Sequence, residues 1–549
     1  MKRYWPSGAH DALRGQAFCG ENAMRAHHRG SKDFASREKP ATTTMQRNPT
    51  LLAAAILVAL GIAMPACATT FVVSSNSDSG PGTLRQAALD ANATAGPHTI
   101  TFDLPADSTI GLTSGEIEFD GPDVTVQGPG RDRLTISGNH NSRIFEVQGN
   151  GALTVSDLTL RDGLAQGDDS NPIDQRGGAI LIGIPNADFG APPPPDVPGL
   201  ALSNVAIFDS RAFSPADGGG GAVFMQDGTL SIDRCLMDGN FARRNGGAIT
   251  TRRGTVLITD SQFTNNTVDY SSDENQAAGG GVFINRSSGT LARSIIRGNH
   301  LTDSGGLGAA NGGSAIGAGF GMFMQFEDFR IEDSEFSDNQ STEIPLSFGG
   351  GVQCHEEPNG TGPTLTMVNS TVSGNIGLTG GVEAGCNLAL LNSTIANNTS
   401  TNYYGDGGAP GIEAYSPNTT GQTQLSIISS IISGNLGGGT DVRIYHLDGY
   451  ADPAFVGANA LVQSVEAGIT LPPDTIIGVD PLLAPLANNG GATRTQALQA
   501  DSAAIDAGGN PLALTSDQRG APYARVVGAA ADIGAFEFDS ERIFANGFD

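Results

Sequence analysis

The sequence predicts an all-β chain wound as a right-handed parallel β-helix, three strands to a turn, with an N-terminal helical cap and a small C-terminal domain. Two observations carry that expectation. Gly supplies 76 of 549 residues while aromatics supply 6%; average Gly usage is about 7%, and the excess suits many tight turns around a narrow core. A short unit also recurs from about residue 100 to 465, with apolar residues alternating between Gly and Asn. Period-2 patterns of that length read as strands and not as helices.

One well-kept unit runs Gly246-Gly247-Ala248-Ile249, then Gly254-Thr255-Val256-Leu257-Ile258, then Ser261-Gln262-Phe263-Thr264-Asn265-Asn266. The Gly-Gly half recurs at Gly177, Gly220, Gly280, Gly350 and Gly380. The closing Asn recurs at Asn240, Asn299, Asn339, Asn375, Asn398 and Asn435. Spacings between these Asn residues are 26, 33, 40, 36, 23 and 37, as a constant core with loops of variable length requires. Three strands per unit, stacked in register, pile like residues into ladders. Val256 and Ile258 are expected to point inward with Phe263 and to stack on Leu230 and Ile232. The closing Asn is expected to hold a left-handed corner and to bond the Asn of the next turn. Packing and turn chemistry account for these motifs, so neither ladder is read as catalytic. The repeat resembles the Gly-Gly-Ala-Ile / Phe-x-x-Asn repeat of polymorphic outer membrane proteins and related β-helix proteins, which implies the fold and export.

An open coil exposes strand edges and needs caps. Thr83-Leu84-Arg85-Gln86 is a capping-box pattern, opening a helix with Leu84, Ala87, Ala88 and Ala91 on one face and its end near Asn92. Residues 71–104 resemble the CSLREA-type amino-terminal segment of exported β-helix proteins, which implies that the helix covers the first coil. Near the other end follow Asp480-Pro481-Leu482-Leu483, Asn488-Asn489-Gly490-Gly491, Ala504-Ile505-Asp506-Ala507-Gly508, Asp517-Gln518-Arg519-Gly520 and Asp532-Ile533-Gly534-Ala535-Phe536-Glu537. These blocks resemble the choice-of-anchor Q domain of surface proteins. The chain thus divides into 1–44 (an upstream extension foreign to the native protein), 45–68 (signal peptide), 69–104 (cap), 105–470 (repeats), 471–537 (choice-of-anchor Q-like) and a tail at 538–549.

The signal peptide rests on Met45-Gln46-Arg47, the apolar run Leu51 to Ala63 and the small-x-small site Ala66-Cys67-Ala68. The run is shorter than the ~20 residues that span a bilayer. Acylation of Cys67 fits less well, because Pro65 precedes the site. No transmembrane span is expected in the mature chain, which is placed outside the cell or on its outer surface. Of 30 Lys/Arg and 57 Asp/Glu, nine and four lie in residues 1–68, leaving a net charge of −32 and no lysine beyond. Such a surface excludes nucleic acid as a partner and admits Ca²⁺, although no cofactor is fixed by any motif. Of the remaining cysteines, Cys354 and Cys386 follow Gly-Gly-Val one repeat apart and are expected to pair; Cys235 stays single.

No catalytic or cofactor-binding residue is singled out, and any metal ligand is left unknown. His98, His140, His300, His355 and His446 stand singly, the arginines are scattered, and Asp168-Asp169 sits in a polar insertion without a hydrolase motif. Loops between the Asn corner and the next Gly-Gly strand must leave one edge of the coil. They carry Asp168, Asp169, Asp174, Asp217, Asp269, Asp273, Glu274, Asp303 and Asp406, either a solvated fringe or an edge for cations or carbohydrate. Asp506, Asp517, Arg519 and Asp532 are expected to form an Asp–Arg core in preference to a Ca²⁺ site. The composite reading is a non-catalytic surface protein that contacts carbohydrate or cell-envelope components. A pectate-lyase-like or hydrolase-like enzyme and a structural spacer are the alternatives.

Overall fold

The computed structural model describes residues 68–166, 175–183, 196–213, 219–269, 276–302, 314–341, 347–357, 360, 362–401, 408–418 and 421–541. Residues 1–44, nearly all of the expected signal peptide, and Asp168, Asp169, Asp174, Asp217, Asp273, Glu274, Asp303 and Asp406 fall outside them.

The chain is a right-handed parallel β-helix. Each strand pairs with its counterpart one turn on, and the ladders are parallel from Thr69–Val73 against His98–Phe102 to Leu461–Val462 against Ile476–Ile477. A parallel crossover within one sheet turns right-handed because of the intrinsic twist of its strands. Alternation does the rest, since every second residue faces inward. One inner column runs in unbroken register through Ile117, Phe145, Ile180, Val223, Ile249 and Val282 to Phe320, Val352, Val382, Ile412 and Val442. Leu230 lies opposite Val256 and Ile232 opposite Ile258, as expected, and Phe263 is fully buried. We call the strands after Gly-Gly the first sheet, those aligned with Val256 the second, and those before the Asn corner the third.

The Asn corner corrects one expectation. Left-handed backbone belongs to the residue before the ladder Asn: Gly239 (φ 68°), Asn265 (53°), Gly298 (63°), Asp338 (57°), Gly374 (72°) and Asn397 (59°). The ladder Asn itself is a buried hydrogen-bonding unit. Asn240 Nδ2 donates to Asn266 Oδ1 (3.0 Å), Asn266 to Asn299 (3.0 Å), Asn299 to Asn339 (2.9 Å), and the chain continues through Asn375 and Asn398 to Asn435. Each Oδ1 also accepts the backbone N–H of the Asn one turn back, and each Nδ2 also reaches a main-chain carbonyl, Met237 O in the case of Asn266. The ladder stops at Asp441, whose carboxylate accepts from Asn435 (2.7 Å) and has no N–H to hand on. A second ladder runs beside it: Ser261, Ser294, Ser334, Ser370, Ser393 and Ser430 each accept the N–H of the residue one turn earlier. The close approach of turns explains the glycines. A Cβ on Gly247 would lie 2.2 Å from Gly280 O.

At the front, Leu84–Asn92 is the expected helix, with Leu84, Ala87, Ala88 and Ala91 buried. Thr83 caps it by accepting from Gln86 N (3.3 Å), while the Gln86 side chain turns to Asp90 and leaves the box half-made. Beyond the last coil strand the chain doubles back along the outside of the third sheet. Leu498, Ala504, Ile533 and Phe536 pack on Ile431 and Leu461. Polar contacts extend this cover over five turns: Arg494 to Glu335 (2.6 Å), Thr371 to Gln518 (2.5 Å), Ala535 N to Thr394 (3.1 Å), Gly509 N to Ser429 (2.7 Å) and Asn459 to Ala507 (3.3 Å). The second sheet lies open, with small polar residues such as Thr154, Ser231 and Thr290 facing out, none of them buried. The loop stems after the Asn corner form their own parallel ribbon of Leu164–Ala165, Arg211–Ala212, Phe241–Ala242, Thr267–Asp269 and His300–Thr302, so these loops do leave one edge.

Candidate functional site

A repeating coil spends most of its side chains on stacking, so chemistry is free to gather where the repeat is broken. On the outer face of the first sheet, the last four turns place Gln353, Glu383, Glu413 and Arg443 in one row. The next row has Phe323, His355 and Gly385. In the first row Gln353, Glu383 and Glu413 are 1% exposed or less. Thr379 donates to Glu413 (3.0 Å), and Arg443 stands 3.9 Å from Glu413 and 3.7 Å from Glu466.

The second row makes a contact that skips a turn. Gly385 has no side chain, and the ring of Tyr415 from the following turn fills its place; a Cβ there would lie 2.3 Å from Tyr415 Cζ. The phenol oxygen thereby reaches Nδ1 of His355, two turns away, at 2.9 Å. Phe323 closes the pair on one side, its ring 5.6 Å from His355, and Tyr445 on the other, 6.5 Å from Tyr415. Burial pushes the His355 imidazole down to about 4. Burial first, and then the Glu383 and Glu413 carboxylates, push the Tyr415 phenol well above its ordinary range. Both are therefore neutral at pH 7, a phenol and an imidazole sharing one hydrogen bond whose direction the imidazole tautomer sets.

A polar depression of about 250 Å³ begins one or two residues beyond His355, Gly385 and Tyr415. Glu356 follows His355, Asn387 follows Gly385 and Cys386, and Pro417 and Asn418 follow Tyr415; Gln422 and Thr423 are also part of the lining. The loops are stapled to one another: Gly362 N donates to Glu356 (3.0 Å), Asn387 Nδ2 to Gly362 O (2.8 Å), Gln424 N to Asn387 Oδ1 (2.9 Å) and Gln422 to Asp452 O (2.6 Å). Carboxylate, amides and backbone groups around a small hollow can bind hydroxyls from several directions.

Of the residues weighed in the sequence, His355 belongs to this row, while His98, His140 and His446 serve locally. His98 bonds Thr94, His140 lies 3.4 Å from Asp162, and His446 bonds Asp452 (2.6 Å). Asp269 accepts from Thr302 (3.1 Å). Asp506, Asp517, Arg519 and Asp532 are brought together in the terminal segment, and N–H donors occupy their carboxylates. Arg519 binds Asp517 through two nitrogens and lies between the rings of Tyr523 (4.0 Å) and Phe536 (3.8 Å); Asp532 accepts Asp506 N and Phe538 N, and Asp506 accepts Ala529 N and Ala530 N. The expected Asp–Arg pairing is met by Asp517 with Arg519, whereas Asp532 and the exposed Asp506 hold backbone N–H groups. Among the described residues the carboxylates close enough to share a cation are Glu116, Glu118 and Glu146. Arg143 already stands there, 2.6 Å from Glu116 and 3.2 Å from Glu146, and burial raises Glu116 to about 7. Tyr415 was missed by sequence reasoning. Its only local signal is that Gly385 interrupts a row otherwise filled by large side chains.

No family model and no curated protein matches the chain. Among solved structures it is similar to the A-module of mannuronan C-5 epimerase AlgE4 of Azotobacter vinelandii, at 16% identity over 74% of this chain and 99% of that one, with a TM-score of 0.41. Pectate lyase Pel9A gives 13% over 86% and 96%, with a TM-score of 0.35. The A-module of mannuronan C-5 epimerase AlgE6, also from A. vinelandii, gives 14% over 74% and 98%, with a TM-score of 0.37. These are likenesses of coil, without bearing on any residue of the site.

Proposed function

We propose that this is an exported β-helix protein of the cell surface that binds carbohydrate, without cleaving it, at the depression beside His355 and Tyr415. The observation that carries the reading is the convergence of three successive turns on one polar hollow. Its volume lies just under the ~300 Å³ at which pockets for drug-sized ligands begin. That suits one sugar unit or the end of a glycan chain. Export is supported by the leader-like segment at 45–68 and by a buried disulfide, a feature of oxidising compartments. Among the described residues no helix is long and apolar enough to cross a membrane.

Polysaccharide cleavage is the second reading, and the His355–Tyr415 hydrogen bond favours it, since such a pair can pass a proton. Against it, Tyr415, Glu383 and Glu413 are at most 2% exposed, and a general acid or base must reach its substrate. A glycan array followed by calorimetry, with and without Ca²⁺, tests binding. Glu356→Gln and Asn387→Ala are each expected to weaken the best ligand about tenfold, the loss of one charged or well-placed hydrogen bond. Absence of any bound glycan, or variants that bind as wild type, overturns the proposal. Depolymerisation of pectate or another glycan at about 1 s⁻¹ or faster, the low end of enzyme turnover, puts the second reading first.

A further inference from the structure

The bridge Cys354–Cys386 lies directly behind the site. Its Cα atoms are 5.7 Å apart and it joins two successive turns inside the coil. Cys354 is the neighbour of His355, and Cys386 is the neighbour of Gly385. The paired residues His355 and Gly385 therefore sit between the two bridged positions. This rung is also where the first-sheet ladder ends, and pairing of the same two turns resumes only at Thr364–Asn387. The ladder between the two turns stops at His355–Gly385, and the next ladder stops one residue earlier, at Ala384–Ala414. Beyond it the two chains part. One leaves on the loop that carries Glu356 and Gly362, whereas the other passes through Cys386 alone into the strand Asn387–Leu391.

We propose that the Cys354–Cys386 disulfide is the positioning clamp of the site, holding the His355–Tyr415 pair and the root of the adjoining depression in register, so that the site assembles only where the bridge can form. The pair has little tolerance. Tyr415 spans the turn it skips through a gap one side chain wide, and the phenol must meet Nδ1 at hydrogen-bond distance. Parallel ladder bonds hold strand interiors, but strand ends fray. A covalent tie just past the last rung of this ladder removes that freedom across the gap that separates it from the next rung, Thr364–Asn387. The same tie is absent from a reducing cytoplasm and present after export, so the chain would carry its site only in the compartment where a ligand is met. The inference rests on the pair and the bridge and stands apart from any choice of ligand.

The test follows His355, one of five histidines beyond residue 68, by its ring C–H resonance in the full chain labelled at histidine and assigned with His355→Gln. The charged and titratable groups around the pair are Glu383 and Glu413 from the next two turns, Arg443 and Tyr445 from the one after, and Tyr415 itself. In the oxidised protein His355 is expected to stay neutral until about pH 4. In Cys354→Ala/Cys386→Ala its resonance is expected to move and its midpoint to rise by at least about one pH unit, toward the ordinary ~6.5. Tyr415→Phe is expected to move the resonance likewise. Val223→Ala, a cavity elsewhere in the same inner column, is expected to leave it in place. A double variant with the wild-type resonance and midpoint overturns the clamp, as does a Val223→Ala protein in which His355 moves equally. If the double variant fails to fold, dithiothreitol titration of wild type decides. His355 should then change together with bridge reduction while the far-ultraviolet spectrum is constant; a change only on loss of that spectrum overturns the proposal.

Discussion

The Asn corner and the His355 row belong to the same coil and use opposite strategies. At the corner every turn supplies the same residue, so each amide gives to one neighbour what it receives from the other, and the ladder is saturated until Asp441 ends it. In the His355 row successive turns supply Phe323, His355, Gly385 and Tyr415, and the His355–Tyr415 hydrogen bond skips a turn. In a solenoid, then, repeated positions carry stability, and chemistry is found where the repeat is abandoned. The sheets follow suit. The third, beside the Asn corner, is covered by the chain's own terminal segment, while the loops leaving the first leave a hollow.

The largest effect is expected at the cover of the third sheet. Arg525 is fully buried and binds Glu537 (3.0 Å), Gly534 O (2.9 Å) and Asp532 O (2.9 Å). Arg525→Ala leaves Glu537 buried without its cation, a loss of about 3–5 kcal/mol. The segment should be released to protease while the coil keeps its far-ultraviolet spectrum. Joint melting of segment and coil at the wild-type midpoint would erase the contrast between them.

The two regions should also answer pH with opposite slopes. Burial raises Glu537 to about 7 and Asp333, under the segment, to about 6. Acids whose folded pKa is raised bind protons more tightly when folded, so their contribution is complete below the unfolded values near 4 and is lost as pH rises through 6 to 7. For Glu537 this is of the order of 1–3 kcal/mol. His355 is lowered to about 4, so its contribution is complete above ~6.5 and is lost as pH falls through 6.5 to 4. Hydrogen exchange corrected for intrinsic rates should show the terminal segment opening more readily at pH 8 than at pH 5, and the turns around His355 the reverse.

Asn266→Ala should cost about 2–3 kcal/mol, read from the denaturation midpoint. It removes the acceptor of the Asn240 N–H, one acceptor of the Asn240 amide and the amide donor to the Met237 carbonyl, all in the interior. Gly385→Ala is expected to cost about 1–2 kcal/mol, since its Cβ needs the space of the Tyr415 ring; the sharper sign is loss of the wild-type His355 resonance. Smallest is Asn265→Gly. Asn265 holds the left-handed corner and bonds Asp238 at the surface, so Gly should change the midpoint by less than about 0.5 kcal/mol. Asn265→Ala should cost about 1 kcal/mol. If Asn266 and Asn265 exchanged these roles, the division between ladder and corner would fail.

The sequence by itself determined the strands, their stacking and their inward residues, because alternation and repetition are local and each turn packs only on its neighbours. Val256 against Leu230, the helix over Leu84 to Asn92 and the Cys354–Cys386 pair were all legible on that ground. Within the repeat it misplaced the left-handed residue by one, since Asn suits both a left-handed corner and an amide ladder, and several corners read Gly-Asn or Asn-Asn. Only the tertiary structure decided that the terminal segment lies along the third sheet and that Tyr415 meets His355. Both depend on contacts that no period encodes: a segment folding back about 160 residues to reach Glu335, and a ring entering the gap left by a glycine one turn away.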